Sequence, residues 1–211
     1  MSAGASSPVA LGFRAGRGGS VVVAVAAEGG APRLLLSAYL ATAAEGDRIA
    51  YEPYHVAYEM PRGPGGEPSE AAAAIVAEGR GRQKGVAAKG LADLLATLAA
   101  AGQTPSVGAL LINRAGWMTD LLAHSLSHPA HPPVVEGLAV REALRFACRE
   151  SGLPMVELDE KTLDEAAAVK LGLSSGEIEA TLKRLGAAAG KPWRKEQKQA
   201  CLAAWVAAAG R

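Results

Sequence analysis

The first forty residues carry three apolar runs separated by glycine turns. Val9 to Phe13 is apolar apart from Gly12, Gly16-Arg17-Gly18-Gly19 follows, and Val21-Val22-Val23-Ala24-Val25 is apolar at every position. Successive side chains of a strand point to opposite faces, so an unbroken valine run predicts a strand covered on both sides. A third run, Arg33 to Thr42, follows the Gly29-Gly30 turn. Short glycine turns between three strands predict an antiparallel meander.

After Ser69 the apolar period changes from strand to helix. Ser69 is a fitting N-cap, and Ile75, Val76, Val86, Leu91, Leu94, Leu95 and Leu98 predict helix to about residue 101, before Gly102. Gly79, Gly81 and Gly85 interrupt it, each costing about 1 kcal/mol against alanine, so the stretch is either one tolerant helix or two. Ser106 to Ile112 predicts a buried strand. A helix over about 135–151 presents Val140, Ala143, Leu144, Ala147 and Cys148 on one side and Arg141, Arg145 and Arg149 on another. Met155 to Leu158 predicts a fifth strand, and three further helices follow: from an Asp159 cap through Lys170, from Ser174 or Ser175 through Leu185, and from Lys191-Pro192 to about Ala209. Residues 43–68, rich in Pro and Gly, predict a surface connection that is mobile near Gly65. Residues 1–8 are Ser/Ala/Gly-rich and predict a disordered start to a single domain over 9–211.

Composition narrows the partners. Net charge is +1 at 211 residues, so no global field draws the chain to nucleic acid, and any polyanion site must be a local patch. Cys148 and Cys201 lack metal-type spacing and predict buried, reduced thiols. No apolar run approaches a membrane span, which predicts a cytoplasmic protein with no membrane partner.

Four constellations carry candidate chemistry. Arg14 and Arg17 flank the glycine turn, where backbone N–H groups and guanidinium forks suit an anion. His124, His128 and His131 are spaced four and three apart, but Pro129, Pro132 and Pro133 prevent a regular helix past His128, and no metal or cofactor is expected. His128 with Glu136 is the candidate acid–base pair. Lys198 precedes Leu202, Trp205 and Val206 on one helix stripe, which predicts a core-facing ammonium in need of a carboxylate or bound anion. The first-strand and last-helix positions further predict that Arg14 and Lys198 share one pocket with an acid such as Glu136 or Glu196, or with a bound anion, between them.

The order strand, strand, strand, helix, strand, helix, strand, helix resembles the ribonuclease H-like fold, an α/β domain with a mixed five-stranded sheet, here with extra C-terminal helices. Gly12-Phe13-Arg14-Ala15-Gly16 is similar to the Gly-Ile-Asp-Pro-Gly first strand of RuvC-type resolvases, and Gln199-Ala200-Cys201-Leu202-Ala203 to their last-helix acid followed by Ala-Leu-Ala. A bacterial protein family is resembled more closely, through Gly12-Phe13-Arg14, Pro53-Tyr54-His55, Ser127-His128 with His131 and Glu136-Gly137, and Pro192-Trp193 with Glu196 and Lys198. It implies no activity. Against the resolvase pattern, Arg14 and Gln199 replace acids and the fourth strand ends in Asn113-Arg114. Two-metal hydrolysis needs converging carboxylates, so the resemblance implies a degenerate nuclease. The expected function is binding of nucleic acid or a nucleotide phosphate, DNA or RNA, through Arg14, Arg17, Lys198, Arg141 and Arg145. A metal-independent phosphoryl-transfer or hydrolytic enzyme using a histidine and Glu136, and a protein–protein interaction module, are the alternatives.

Overall fold

The computed structural model describes residues 7–113 and 118–210. The expectations for residues 1–6, and for Arg114 after the fourth strand, lie outside the described residues.

Five strands, β1 (Val9–Gly16), β2 (Gly19–Glu28), β3 (Ala31–Ala41), β4 (Pro105–Ile112) and β5 (Met155–Asp159), form one sheet in the order β3-β2-β1-β4-β5. The first three pair antiparallel, as the glycine turns require, while β4 runs parallel to β1 and β5 parallel to β4. β1 is therefore central, with its carboxyl end beside those of β4 and β5. Eight helices accompany the sheet among the described residues: α1 (Arg48–Tyr51), α2 (Pro53–Glu59), α3 (Glu70–Ala100), α4 (Leu121–Ser127), α5 (Pro132–Glu150), α6 (Leu163–Leu171), α7 (Ser175–Ala189) and α8 (Lys195–Ala208).

Strand alternation divides the core into two layers. Ala10, Val23, Val25, Val107, Ala109 and Leu111 pack with Leu202, Trp205 and other residues of α8. Leu11, Phe13, Val22, Ala24 and Leu110 pack with Leu91 of α3 and Leu144 of α5. Val22 through Ala26 are completely buried, in line with a valine run covered on both faces. Filling both layers stabilises the domain by about 2 kcal/mol per large side chain.

Gly12 explains how α8 comes so close. A Cβ at this position would lie 1.9 Å from the Ala200 carbonyl oxygen and 2.9 Å from the Ala204 nitrogen, so the helix backbone rests directly on β1. Arg14, two residues further, points to the same face. Gln199, one residue before Ala200, is thereby carried over it.

The long helix α3 does not break at its glycines. Gly79 is a contact point, since a Cβ would lie 2.3 Å from the Ile49 carbonyl oxygen and 2.7 Å from Pro53 Cβ, whereas Gly81 and Gly85 have open space. Within the connection over 43–68, two short helices that were not expected, α1 and α2, pack against α3. Asp47 caps α1 by accepting from Ala50 N, and Pro53 opens α2 at a position that needs no N–H partner. Proline acts likewise in α5, which begins at Pro132 rather than near Val135. Thr162, not Asp159, precedes α6; Asp159 accepts from Lys161 N instead.

Candidate functional site

The carboxyl ends of β1, β4 and β5 meet the first turn of α8, the place where open α/β sheets present ligands. Arg14 stands at the centre of this edge. Its Nε donates to Gln199 Oε1 at 3.1 Å, its Nη2 to Glu160 Oε1 at 2.9 Å and its Nη1 to the Ala15 carbonyl at 2.5 Å. Gln199 Nε2 reaches the same Glu160 oxygen at 3.5 Å. The Arg14 and Glu160 side chains keep 23% and 19% of their accessible surface, so the pair is half-buried and reachable.

Lys198 lies next to this cluster but not as expected. The buried residues in the first turns of α8 are Gln197, Ala200 and Cys201, and Lys198 is exposed, because it lies to one side of the face that carries those three. With Glu160, Gln199, Lys195 and Asp164 it lines a cavity of about 330 Å³, which Arg14 does not line although both its partners do. The carboxylate at the site is Glu160. Glu196 is exposed and Glu136 is elsewhere, so both acids expected there are corrected.

Arg17 belongs to another neighbourhood. It pairs with Glu52 at 3.5 Å on the α1–α2 side, and Glu52 also accepts from Arg48, so the two arginines of the turn do not form one anion fork. Arg141 and Arg145 do face the sheet end, from α5. Arg141 is almost wholly buried, donating from Nε to the Leu111 carbonyl at 3.2 Å and from Nη1 to Asn113 Oδ1 at 2.9 Å. Burial, and then repulsion from Arg14, hold its guanidinium below the ordinary arginine range. Arg145 pairs with Glu142, and with Glu157 at 2.6 Å, so its charge is already balanced.

The expected His128–Glu136 pair is not brought together. Glu136 is fully buried in α5 and its Oε1 accepts from Tyr54 N at 2.8 Å and His55 N at 3.0 Å, the free amides of the first turn of α2. Burial pushes its carboxyl up to about 7 despite those two hydrogen bonds. Its neighbour is His55, whose Nδ1 lies 3.5 Å away and which burial holds below the usual imidazole range. His128 is exposed after α4, its Nδ1 accepting from Ala130 N at 3.3 Å. The His124 and His131 rings stack at 4.1 Å, which faces π-surfaces rather than ring nitrogens toward each other. Among the described residues no three His, Cys, Asp or Glu side chains are grouped so as to hold a metal ion.

Cys148 and Cys201 are free and buried, and burial pushes both thiols up to about 12. Among the described residues no helix is long and apolar enough to cross a membrane.

The sequence reading missed Glu160 and the link from Arg141 to Asn113. A signal for Glu160 existed: it follows β5 directly, where the strand-end rule applies as it does to β4.

The fold occurs in known structures. One is a Thermus thermophilus RuvC structure, 16% identical, with a TM-score of 0.52 over 95% of this chain and 93% of that one. Another is T. thermophilus RuvC in complex with Holliday junction substrate, 14% identical, with a TM-score of 0.52 over 94% and 92%. The mixed five-stranded sheet is thus ribonuclease H-like, with RuvC-type Holliday junction resolvases as its structural neighbours. No family model and no curated protein sequence matches the chain.

Proposed function

We propose that the chain is a nucleic-acid-binding protein built on a RuvC-like domain that does not perform two-metal phosphodiester cleavage. The observation that carries this reading is Arg14, whose guanidinium occupies the end of the central strand and is hydrogen-bonded to Gln199 and Glu160. Two-metal hydrolysis requires carboxylates around paired divalent ions, and a guanidinium among them repels those ions and satisfies the acid that is present. The resolvase-like pattern Gly12-Phe13-Arg14 with Gln199-Ala200-Cys201-Leu202-Ala203 aligns Arg14 and Gln199 with acids, which supports the loss of cleavage with retention of the fold.

Exposed Lys198 and Lys195, on the cavity that the Arg14 partners Glu160 and Gln199 also line, supply the phosphate contacts. The binding complex of a structural neighbour with Holliday junction substrate favours branched DNA as the first polyanion to test. Fluorescence polarisation with a four-way junction, single-stranded DNA and RNA at two ionic strengths tests the reading. Binding that weakens steeply with salt supports it, and no binding to any of them at low salt overturns it.

A further inference from the structure

An open cleft of about 870 Å³ lies between α3, α4 and α5 beyond the end of β4. Val76, Leu121, Leu122 and Leu138 form apolar wall, and Arg80 and Arg141 stand on the two sides. Leu138 and Arg141 are three residues apart on α5, so they present one continuous stripe to the cleft.

Arg141 is the unusual member. It is 5% exposed, its Nε and Nη1 are bound to two neutral oxygens, and no carboxylate pairs with it among the described residues. No hydrogen bond from Nη2 is made to the described residues, and Arg141 is one of the residues that line the cleft. Glu160 and Glu157 act on it only from beyond contact distance, and a buried guanidinium with no carboxylate in contact can accommodate an anion. Arg145, one turn on, offers no competing charge because Glu142 and Glu157 hold it. The cleft therefore sets two arginines with no paired carboxylate among the described residues, Arg80 and Arg141, beside an apolar wall, with Asp120, Glu142 and Glu157 also lining it, and its volume is that of a small-ligand site.

We propose that this cleft takes a single unstacked nucleotide, free or within a strand, with its phosphate on Arg141 and its base against Leu138, Leu121 and Leu122. Phosphate alone would leave the apolar wall wet, and a base stacked within a duplex would not reach it. The choice of ligand class rests on the nucleic-acid reading above, but the side chains are different ones from Arg14 and Lys198.

The test is a calorimetric titration of the full chain with inorganic phosphate, AMP, dTMP, a single-stranded oligonucleotide and a duplex. AMP or dTMP is expected to bind at least tenfold more tightly than phosphate. Leu138→Trp, which fills the cleft from a half-buried position, and Arg141→Gln are each expected to weaken nucleotide binding at least tenfold. Should Arg141→Gln fail to fold, Leu138→Trp still decides the matter. Nucleotides that bind no better than phosphate, or a folded Leu138→Trp variant with unchanged nucleotide affinity, overturn the proposal. An oligonucleotide that outcompetes the free nucleotide assigns the site to a strand, and the reverse assigns it to a free nucleotide; either upholds it. Duplex binding without nucleotide binding leaves the Arg14 reading standing and the cleft proposal refuted. Nucleotide binding without any polynucleotide binding at low salt does the opposite.

Discussion

Arg14 Nη2 lies 2.9 Å from Glu160 Oε1, joining the end of the central strand to the residue that follows β5. This half-buried pair is a charge-assisted hydrogen bond, and Gln199 shares both partners. Arg14→Ala is expected to lower unfolding free energy by about 2 kcal/mol. Glu160→Gln should cost a similar amount, and the double substitution should cost clearly less than the sum. Urea denaturation of the three variants measures this; strictly additive losses would show that the two side chains do not act as a pair.

Divalent ions provide a second test. The native chain is expected to show no shift in melting temperature with Mg²⁺ or Mn²⁺ and no cleavage of plasmid or four-way junction. Replacing both neighbours of Glu160, in R14D/Q199D, gathers carboxylates in place of the guanidinium and amide. That variant should melt lower than the native chain in EDTA and regain several degrees in Mg²⁺. Metal-dependent cleavage by clean native protein, abolished when a nearby acid is replaced, would contradict the assignment.

Glu136 makes stability depend on pH in a defined direction. Its folded carboxyl is raised to about 7 from 4.5, so between those values the folded state holds more protons than the unfolded chain and stability falls as pH rises. The penalty is complete above about pH 7 and amounts to about 3 kcal/mol. His55 acts in the opposite sense, since an imidazole held below its ordinary value loses stability as pH falls through the unfolded value of 6.5. Comparing Glu136→Gln with the native chain isolates the first effect: the variant should gain relative stability from pH 5 to pH 8. A constant difference over that range would refute the raised value.

The glycines of α3 should separate by environment. Gly79→Ala forces a methyl against the Ile49 carbonyl and is expected to destabilise by about 2 kcal/mol or more, as overpacking does. Gly81→Ala and Gly85→Ala meet open space and should each stabilise by up to about 1 kcal/mol. Thermal melts of the three variants read the contrast directly.

These elements also show what the sequence discloses and what it conceals. The valine run, the glycine turns and the apolar period after Ser69 are local signals, and they lead to the sheet, the helix order and the two-faced core. α1 and α2 were concealed because their stability comes from a distance: Glu136 accepts the first amides of α2, and Gly79 admits the backbone of α1. Arg14 was legible because a charge in an apolar strand needs a reason. Its partner Glu160 carried only the strand-end signal of a residue directly after β5, and sequence distance hides the pairing itself, made when β1 and the end of β5 share a sheet edge. Lys198 failed for the converse reason: it shares a stripe with buried Leu202 and Trp205, but periodicity does not reveal that the first turns bury only the side of Gln197, Ala200 and Cys201.

The most direct measurement of the central claim is the salt dependence of four-way junction binding, compared between the native chain and Lys198→Gln. Lys198 is exposed, so its removal leaves the core untouched. The account predicts a linear fall of log affinity with log salt, weaker binding for the variant, and a slope reduced by about one for the lost phosphate contact. Absence of junction binding at low salt, or an identical slope in the variant, would contradict it.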